Sequence, residues 1–178
     1  KHGGLVLTAH MGNWEYMAAY TSSKWVPLAI VYRYFRQRWA EVLWQKVRRQ
    51  HAVDMIPESQ SAFQIIRRLN QKYAIGIMCD QHVGVPEGVV IPFFGHDVGA
   101  MPALAVLQIR THQYVFPVFC YREWKTGKFV VGVDGKINPE QRRLEEYQLQ
   151  IHEYVARYQA YIEKWIKQYP DQWLWVHR

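Results

Sequence analysis

The chain has 178 residues, of which 49% are hydrophobic and 21% charged, a composition that supports a buried core and excludes an intrinsically disordered protein. Its formal net charge of +7 favours an acidic partner, which means nucleic acid, anionic lipid or an acidic protein. No stretch approaches the ~18 consecutive apolar residues that a membrane span requires, so we expect this chain to lie on a bilayer at most and not to cross it.

In the first half of the chain, short apolar runs alternate with segments in which apolar residues recur at the spacing of a helix. The runs predict strands at 5–9, 26–32, 53–56 and 74–79. The spacings predict helices at 11–22 and 36–50, and a third helix that opens at Glu58-Ser59 and carries Phe63, Ile66 and Leu69 on one face.

The second half begins with an extended segment at 89–94, which Pro92 marks as an edge or irregular strand. A helix is predicted from Pro102 to about residue 110, followed by strands at 114–121 and 129–133 around a turn at 125–128. A long amphipathic helix is predicted over 142–168, with an apolar stripe of Leu144, Tyr147, Ile151, Tyr154, Tyr158, Ile162, Trp165 and Tyr169.

Strands that alternate with helices predict an α/β fold, with a largely parallel sheet and helices on both faces. We expect a single domain over residues 1–178. In such sheets ligands bind beyond the carboxyl ends of the strands, so the residues that follow each strand are the candidates for a site.

The basic charge is concentrated between Lys24 and Arg49, where seven basic residues and the single acid Glu41 give a net +6. Several aromatic residues, including Trp39 and Trp44, lie in the same stretch. It is interpreted either as a solvated helix face or as a surface for an acidic partner. The two cysteines, Cys79 and Cys120, lie in apolar strands and are expected to be buried free thiols, which suits a reducing compartment.

The most informative motif is His10-Met11-Gly12-Asn13-Trp14-Glu15, directly after the first predicted strand. A neutral imidazole is the commonest general base, and a carboxylate on its other nitrogen fixes the tautomer and stabilises the imidazolium. Gly12 permits a tight turn in which His10 and Glu15 meet. The alternative is a hydrogen-bonded histidine at a helix N-terminus, where Glu15 favours the helix dipole.

Polar residues also follow two other strands, and a third stretch accompanies them. Arg33 comes at the end of 26–32, and Asp80-Gln81-His82-Val83-Gly84 follows 74–79. Pro92-Phe93-Phe94-Gly95 comes later in the chain. Because these groups fall on the same predicted sheet edge, they favour a catalytic site over an isolated histidine.

Taken in order, these elements resemble the lipid A biosynthesis late acyltransferases, within the broader glycerolipid acyltransferase superfamily. The resemblance covers almost the whole chain and includes the H-x4-E box, Tyr32-Arg33, Asp80-Gln81-His82 with Gly84, the Pro92–Gly95 stretch and the closing Gln172-Trp173-Leu174-Trp175-Val176-His177-Arg178. It implies a fold like that of glycerol-3-phosphate acyltransferases. Members of this family usually have an N-terminal membrane helix and further residues before the histidine box, and a basic tail after the closing motif; this sequence shows neither.

The resemblance also implies an activity. An acyl chain carried on acyl carrier protein is transferred to a hydroxyl of a lipid A precursor or related glycolipid, without a further cofactor, at the cytoplasmic face of the bacterial inner membrane. His10 is then the general base and Glu15 its partner. Arg33 binds an oxyanion or the acceptor phosphate, Asp80 orients Arg33 or the acceptor, and Gln81 and Gly84 line the substrate site.

Other functions stay open at this point. Asp80, His82, His10 and Glu15 are metal-ligand types, although no known zinc-site spacing is present. A basic, aromatic module that binds membranes or nucleic acid without catalysis fits the charge, although no nucleic-acid motif is found. A mannolipid, lysophospholipid or ornithine lipid is an alternative acceptor. The sequence leaves undetermined the acyl chain length, the choice between acyl carrier protein and acyl-CoA, and the oligomeric state.

Overall fold

The computed structural model of the chain describes residues 3–33, 37–58 and 61–175. The strands are β1 Gly4–Thr8, β2 Leu28–Tyr32, β3 Val53–Pro57, β4 Ala74–Met78, β5 Val89–Phe93, β6 His96–Ala100, β7 Val115–Arg122 and β8 Phe129–Val133. The helices are α1 Trp14–Lys24, α2 Arg38–Gln50, α3 Ser61–Asn70, α4 Ala103–Thr111 and α5 Tyr147–Gln168.

Six of the strands form one sheet in the order β3-β2-β4-β1-β7-β8. Strand β2 is parallel to both β3 and β4, whereas β7 and β8 form an antiparallel hairpin at the edge. Five helices flank this sheet in the described residues, which confirms the predicted α/β class. Strands β5 and β6 form a separate antiparallel pair.

The chain divides into two compact units, which we describe separately. The first consists of Lys1–Val6 and Glu15–Ile77, and the second of Leu7–Trp14 and Met78–Arg178. Strands β1 and β4 therefore each contribute residues to both units. The expectation of one domain over 1–178 stays a prediction.

In the first unit, the strands bury most of their apolar residues, although Ile30, Val31 and Met55 are only half-buried, and the helices bury fewer. Helix α3 buries Ile65 and Leu69 and leaves Phe63 and Ile66 exposed, so the predicted face of Phe63, Ile66 and Leu69 does not face the core as a whole. None of the described residues of α2 is buried. The predicted start of this helix at residue 36 lies outside the described residues, as does Ser59 at the predicted start of α3.

In the second unit, the core is built on α5, whose apolar stripe includes the buried side chains of Tyr154, Tyr158, Ile162 and Trp165. The helix begins at Tyr147, later than predicted. Leu144 belongs to a preceding 3₁₀ turn and is exposed, so its place in the stripe was wrong.

Strand β6 was not predicted, because His96-Asp97-Val98-Gly99-Ala100 has little apolar character of its own. It forms through a two-residue turn in which Phe94 and Gly95 both have positive φ, the geometry that suits a tight hairpin. No helix in the described part of the chain is both long and apolar enough to cross a bilayer.

Candidate active site

The centre of the candidate site is a histidine–aspartate pair in the second unit. His10 follows strand β1 and Asp80 follows strand β4, so both lie at carboxyl ends, where ligands of parallel sheets bind. His10 Nδ1 is 2.9 Å from Asp80 Oδ1, and the backbone N–H of His10 donates to Asp80 Oδ2 at 2.8 Å. The Asp80 side chain is fully buried and that of His10 is 13% exposed. The buried carboxylate therefore holds the histidine at two points.

The C-terminal segment contributes a third hydrogen bond to this carboxylate. Trp173 Nε1 donates to Asp80 Oδ2 at 2.9 Å, and the Trp173 ring makes an edge contact with Phe93. The backbone of the same segment runs beside the histidine box, since Gly12 N–H donates to Gln172 O at 2.8 Å and Leu174 N–H donates to His10 O at 3.0 Å. Part of the closing tryptophan motif thus supports the histidine box; residues 176–178 lie outside the described residues.

Asp80 carries a negative charge in this setting. Burial raises the pKa of its carboxyl, but the hydrogen bond and charge of His10, together with the Trp173 indole and the His10 backbone N–H, outweigh burial and leave the pKa below its usual value. An ionised carboxylate only accepts hydrogen bonds, so Nδ1 of His10 must be the donor. In neutral His10 the proton is then on Nδ1, and Nε2 is the basic nitrogen.

Hydrogen bonds also hold the main chain at the end of β4. Cys79 N–H donates to Thr8 O at 3.0 Å, and Cys79 O accepts from the buried Gln159 Nε2 at 2.6 Å. The Cys79 side chain is buried and forms no disulfide, as predicted; burial first, and the Asp80 charge second, raise the pKa of its thiol. This thiol is therefore protonated at neutral pH.

Gly12 shapes the turn between His10 and α1. Its φ is +58°, and a Cβ added to it would lie 2.5 Å from the carbonyl oxygen of Cys120. A side chain at this position would therefore collide with the backbone, so this turn requires glycine. The left-handed residue also explains why α1 begins at Trp14, later than predicted, since such a conformation cannot continue a right-handed helix.

Glu15 lies in the first turn of α1, in the first unit, where Arg48 of α2 holds its carboxylate. Arg48 Nε donates to Glu15 Oε2 at 2.9 Å, and Arg48 Nη2 donates to Oε1. The guanidinium also contacts the Met55 sulfur and lies over the Trp44 ring. A two-point pair between arginine and carboxylate fixes both position and orientation.

Sequence reasoning missed the role of Arg48, which it counted only among the charges of the basic stretch. The signal was the helical spacing of Glu41, Gln45 and Arg48, which places three polar residues on one side of α2. The predicted pairing of Glu15 with His10 stays a prediction.

Arg33 follows β2, as predicted, and its side chain is 84% exposed. Its guanidinium donates to both carboxylate oxygens of Glu58, with Nε at 2.8 Å from Oε2. This hydrogen bond is the main cause that raises the pKa of Arg33 and lowers that of Glu58. The predicted role of Arg33 in binding an oxyanion or phosphate stays a prediction.

Gln81 and Gly84 lie in the loop after Asp80, and both are exposed. Gly84 O accepts from Gly88 N–H at 2.9 Å, and a short bridge between His82 and Ala100 ties the loop to β6. The predicted substrate-lining role of Gln81 and Gly84 stays untested. Of the predicted site residues, the second unit thus brings His10 and Asp80 into direct contact. Within the described residues no group of three or more histidine, cysteine or acidic side chains is arranged to hold a metal ion.

The sequence matches a known protein family over its whole length. The sequence model of the family described as "Bacterial lipid A biosynthesis acyltransferase" matches residues 1–178. Comparison with curated protein sequences finds no match.

Proposed function

Because this chain belongs to the bacterial lipid A biosynthesis acyltransferase family, we propose that it transfers a fatty acyl chain from acyl carrier protein to a hydroxyl of a lipid A precursor, with His10 as the general base. Membership of the family makes the chain an acyltransferase acting on a lipid A-like substrate. The donor, the catalytic residues and the location at the cytoplasmic face of the inner membrane are our proposal.

The observation that carries the mechanism is the contact between His10 Nδ1 and the buried Asp80 carboxylate at 2.9 Å. It leaves Nε2 as the basic nitrogen, and it stabilises the positive charge that forms when Nε2 takes a proton. Aspartate in this position orients the base and is itself not protonated during the reaction.

In the proposed reaction, His10 Nε2 removes the proton from the acceptor hydroxyl as its oxygen attacks the thioester carbonyl of the donor. An oxygen–carbon bond forms, the carbon–sulfur bond breaks, and the proton passes from His10 to the departing thiolate. The products are the lipid ester and the free thiol of the carrier, and no oxidant or metal enters the balance.

Arg48 and Glu15 complete the proposal in the first unit. We assign Arg48 as a positioning residue, because its guanidinium holds the Glu15 carboxylate at two points. Glu15 is proposed to stabilise the imidazolium of His10, as the H-x4-E resemblance implies. Arg33, with its exposed guanidinium, is proposed to bind the acceptor phosphate.

The test is acyl transfer by the purified chain, with the lipid product identified by mass spectrometry. Acyl carrier protein and acyl-CoA are compared as donors, and a lipid A precursor is compared with a mannolipid, a lysophospholipid and an ornithine lipid as acceptors. We expect His10→Ala to reduce turnover by roughly 10²–10⁴-fold in a variant that remains folded by circular dichroism. The exposed His51 provides the matched control, His51→Ala.

Three results would contradict parts of this proposal separately. Turnover of His10→Ala within a few-fold of the parent would remove His10 as the base. Equal kcat/KM with acyl-CoA would remove the carrier protein as the preferred donor. A preference for another acceptor would replace the lipid A precursor while leaving the chemistry intact.

A further inference from the structure

Helix α2 has the reverse of the usual arrangement of a surface helix, because its polar side faces the protein. Glu41 and Gln45 both hydrogen-bond the hydroxyl of Tyr32, at 2.9 Å each, and Arg48 holds Glu15. These three residues of α2 are spaced four and three apart and therefore share one side of the helix.

The opposite side of α2 is apolar and faces solvent. Trp39, Val42, Leu43 and Val47 are spaced as on one helical face, and they are 74%, 63%, 55% and 45% exposed. We call these four residues the outward face of α2. A soluble helix normally buries such a stripe, and a contiguous exposed apolar face rimmed by polar residues marks an interaction site.

The charges that accompany this face are all positive. Arg38, Lys46 and Arg49 are exposed on α2, whereas the only acid of the helix, Glu41, faces Tyr32. Arg48 is excluded from this set, since its guanidinium is paired with Glu15. The exposed surface of α2 therefore combines the four large apolar side chains of the outward face with three cations and no anion.

We propose that the outward face of α2 docks on an anionic lipid bilayer, with its apolar side chains in the headgroup–acyl boundary and Arg38, Lys46 and Arg49 at the lipid phosphates. A helix of this kind lies in the plane of the interface, and its affinity combines buried apolar area with attraction to anionic lipid. The polar side of α2 remains on the protein, where it holds Glu15.

Two other occupants fit this face less well. A second copy of this chain would bring two sets of cations together, because each copy carries a net charge of +7. Acyl carrier protein, an acidic partner, would match the three cations, but its acidity does not account for the four exposed apolar side chains. The bilayer satisfies both properties of the face.

The experiment measures binding of the full chain to sedimented vesicles, either phosphatidylethanolamine with phosphatidylglycerol or pure phosphatidylcholine, without substrate. Because no turnover is involved, its outcome is independent of the proposed acyl transfer. We expect the parent to bind the anionic vesicles more tightly, and less so at high salt. Trp39→Ser combined with Leu43→Ser should weaken binding to both vesicles by at least about tenfold, since each apolar side chain is lost from the boundary.

Charge reversal tests the second component on a helix whose apolar face is intact. Lys46→Glu combined with Arg49→Glu should weaken binding to anionic vesicles by at least about fivefold per charge and change binding to phosphatidylcholine far less. The matched control for charge is Lys125→Glu with Lys128→Glu, in the exposed β7–β8 turn. The matched control for apolar side chains is Leu144→Ser with Leu149→Ser, which are at least as exposed as Trp39 and Leu43. Both controls should bind like the parent, and circular dichroism should show all variants folded.

Several results would overturn the proposal. These are a parent that does not bind anionic vesicles, α2 variants that bind as well as the parent, or controls that lose as much binding as the α2 variants. A parent that is a dimer by light scattering and becomes a monomer with Trp39→Ser and Leu43→Ser would assign the face to a second copy. If the α2 variants bind vesicles like the parent but have a lower kcat/KM for acyl carrier protein in detergent, the outward face would be assigned to the carrier protein.

Discussion

Replacement of Asp80 by asparagine should invert the tautomer of His10 and remove its basic nitrogen. Asp80 Oδ2 accepts two donors, the His10 backbone N–H and the Trp173 indole N–H, while Oδ1 faces His10 Nδ1. The asparagine oxygen must take the Oδ2 position, because an amide NH₂ there would meet two donors. The NH₂ group then faces Nδ1 and donates to it, which moves the imidazole proton to Nε2.

The expected magnitude follows from this geometry. An imidazole protonated at Nε2 cannot accept the hydroxyl proton, so most of the general-base contribution of roughly 10²–10⁴-fold is lost. The corresponding aspartate-to-asparagine change in a serine protease triad costs roughly 10⁴-fold by the same cause. A 10³-fold loss corresponds to about 4 kcal/mol of transition-state stabilisation. All three hydrogen bonds are kept, the one to His10 Nδ1 with its direction reversed, so the variant should still fold.

The assay compares kcat and KM of the parent and of Asp80→Asn in the acyl-transfer reaction, together with their melting temperatures. Asp134→Asn is a matched control, because Asp134 also accepts from an indole, that of Trp165, and pairs with Lys164 instead of a histidine. We expect kcat to fall at least about 10²-fold for Asp80→Asn and to stay within a few-fold for Asp134→Asn. A folded Asp80→Asn variant with kcat within tenfold of the parent would refute the idea that Asp80 sets the tautomer.

Three further predictions concern the groups around this pair. Trp173→Phe keeps the ring and removes one hydrogen bond to the Asp80 carboxylate, so kcat should fall by about tenfold, less than for Asp80→Asn; a loss as large as that of Asp80→Asn would contradict an indirect role. Arg48→Gln and Glu15→Gln should each lower kcat/KM. The double variant should lose much less kcat/KM than the product of the two single losses, because the effects of contacting residues are not additive. Additive losses in this double-mutant cycle would show that the pair has no shared role. Because the pKa of Asp80 is lowered in the folded protein, its charge stabilises the fold at any pH above the unfolded pKa of about 3.9. This stabilisation is lost as the pH falls through the folded pKa. In urea unfolding, the difference in the free energy of unfolding between the parent and Asp80→Asn should therefore be largest near neutral pH and should shrink in acid. A difference that grows in acid would mean that the pKa of Asp80 is raised and not lowered.

Much of the fold follows from local sequence patterns. The buried runs that become β1 and β4 are entirely or almost entirely apolar, and the stripe of α5 recurs at helical spacing over 22 residues. The β7–β8 hairpin was predicted with nearly its observed limits. These elements were predictable because their burial is encoded in the period of their own residues.

The pairings of the site were harder to predict, since they depend on contacts between distant parts of the chain. His10 and Asp80 were both identified, from positions after strands, but their contact across 70 residues depends on which strands lie near each other in the sheet. Trp173 lies 93 positions from Asp80, and no local pattern assigns its indole a partner. Arg48 was misread because an amphipathic period shows that a helix has two sides but not which side faces inward.

Because Cys79 is buried beside Asp80 in the chain, its reactivity reports local unfolding at the candidate active site. Its thiol lies next to Asp80 in the chain and is held protonated and inaccessible, so an alkylating reagent has no route to it in the closed structure. Alkylation of Cys79 requires the end of β4 to unfold locally. The hydrogen bonds that must then break join the backbone N–H and C=O of Cys79 to Thr8 and Gln159. The labelling rate of Cys79 therefore measures how often the end of β4, which carries Asp80, unfolds locally. The measurement needs no substrate, lipid or turnover.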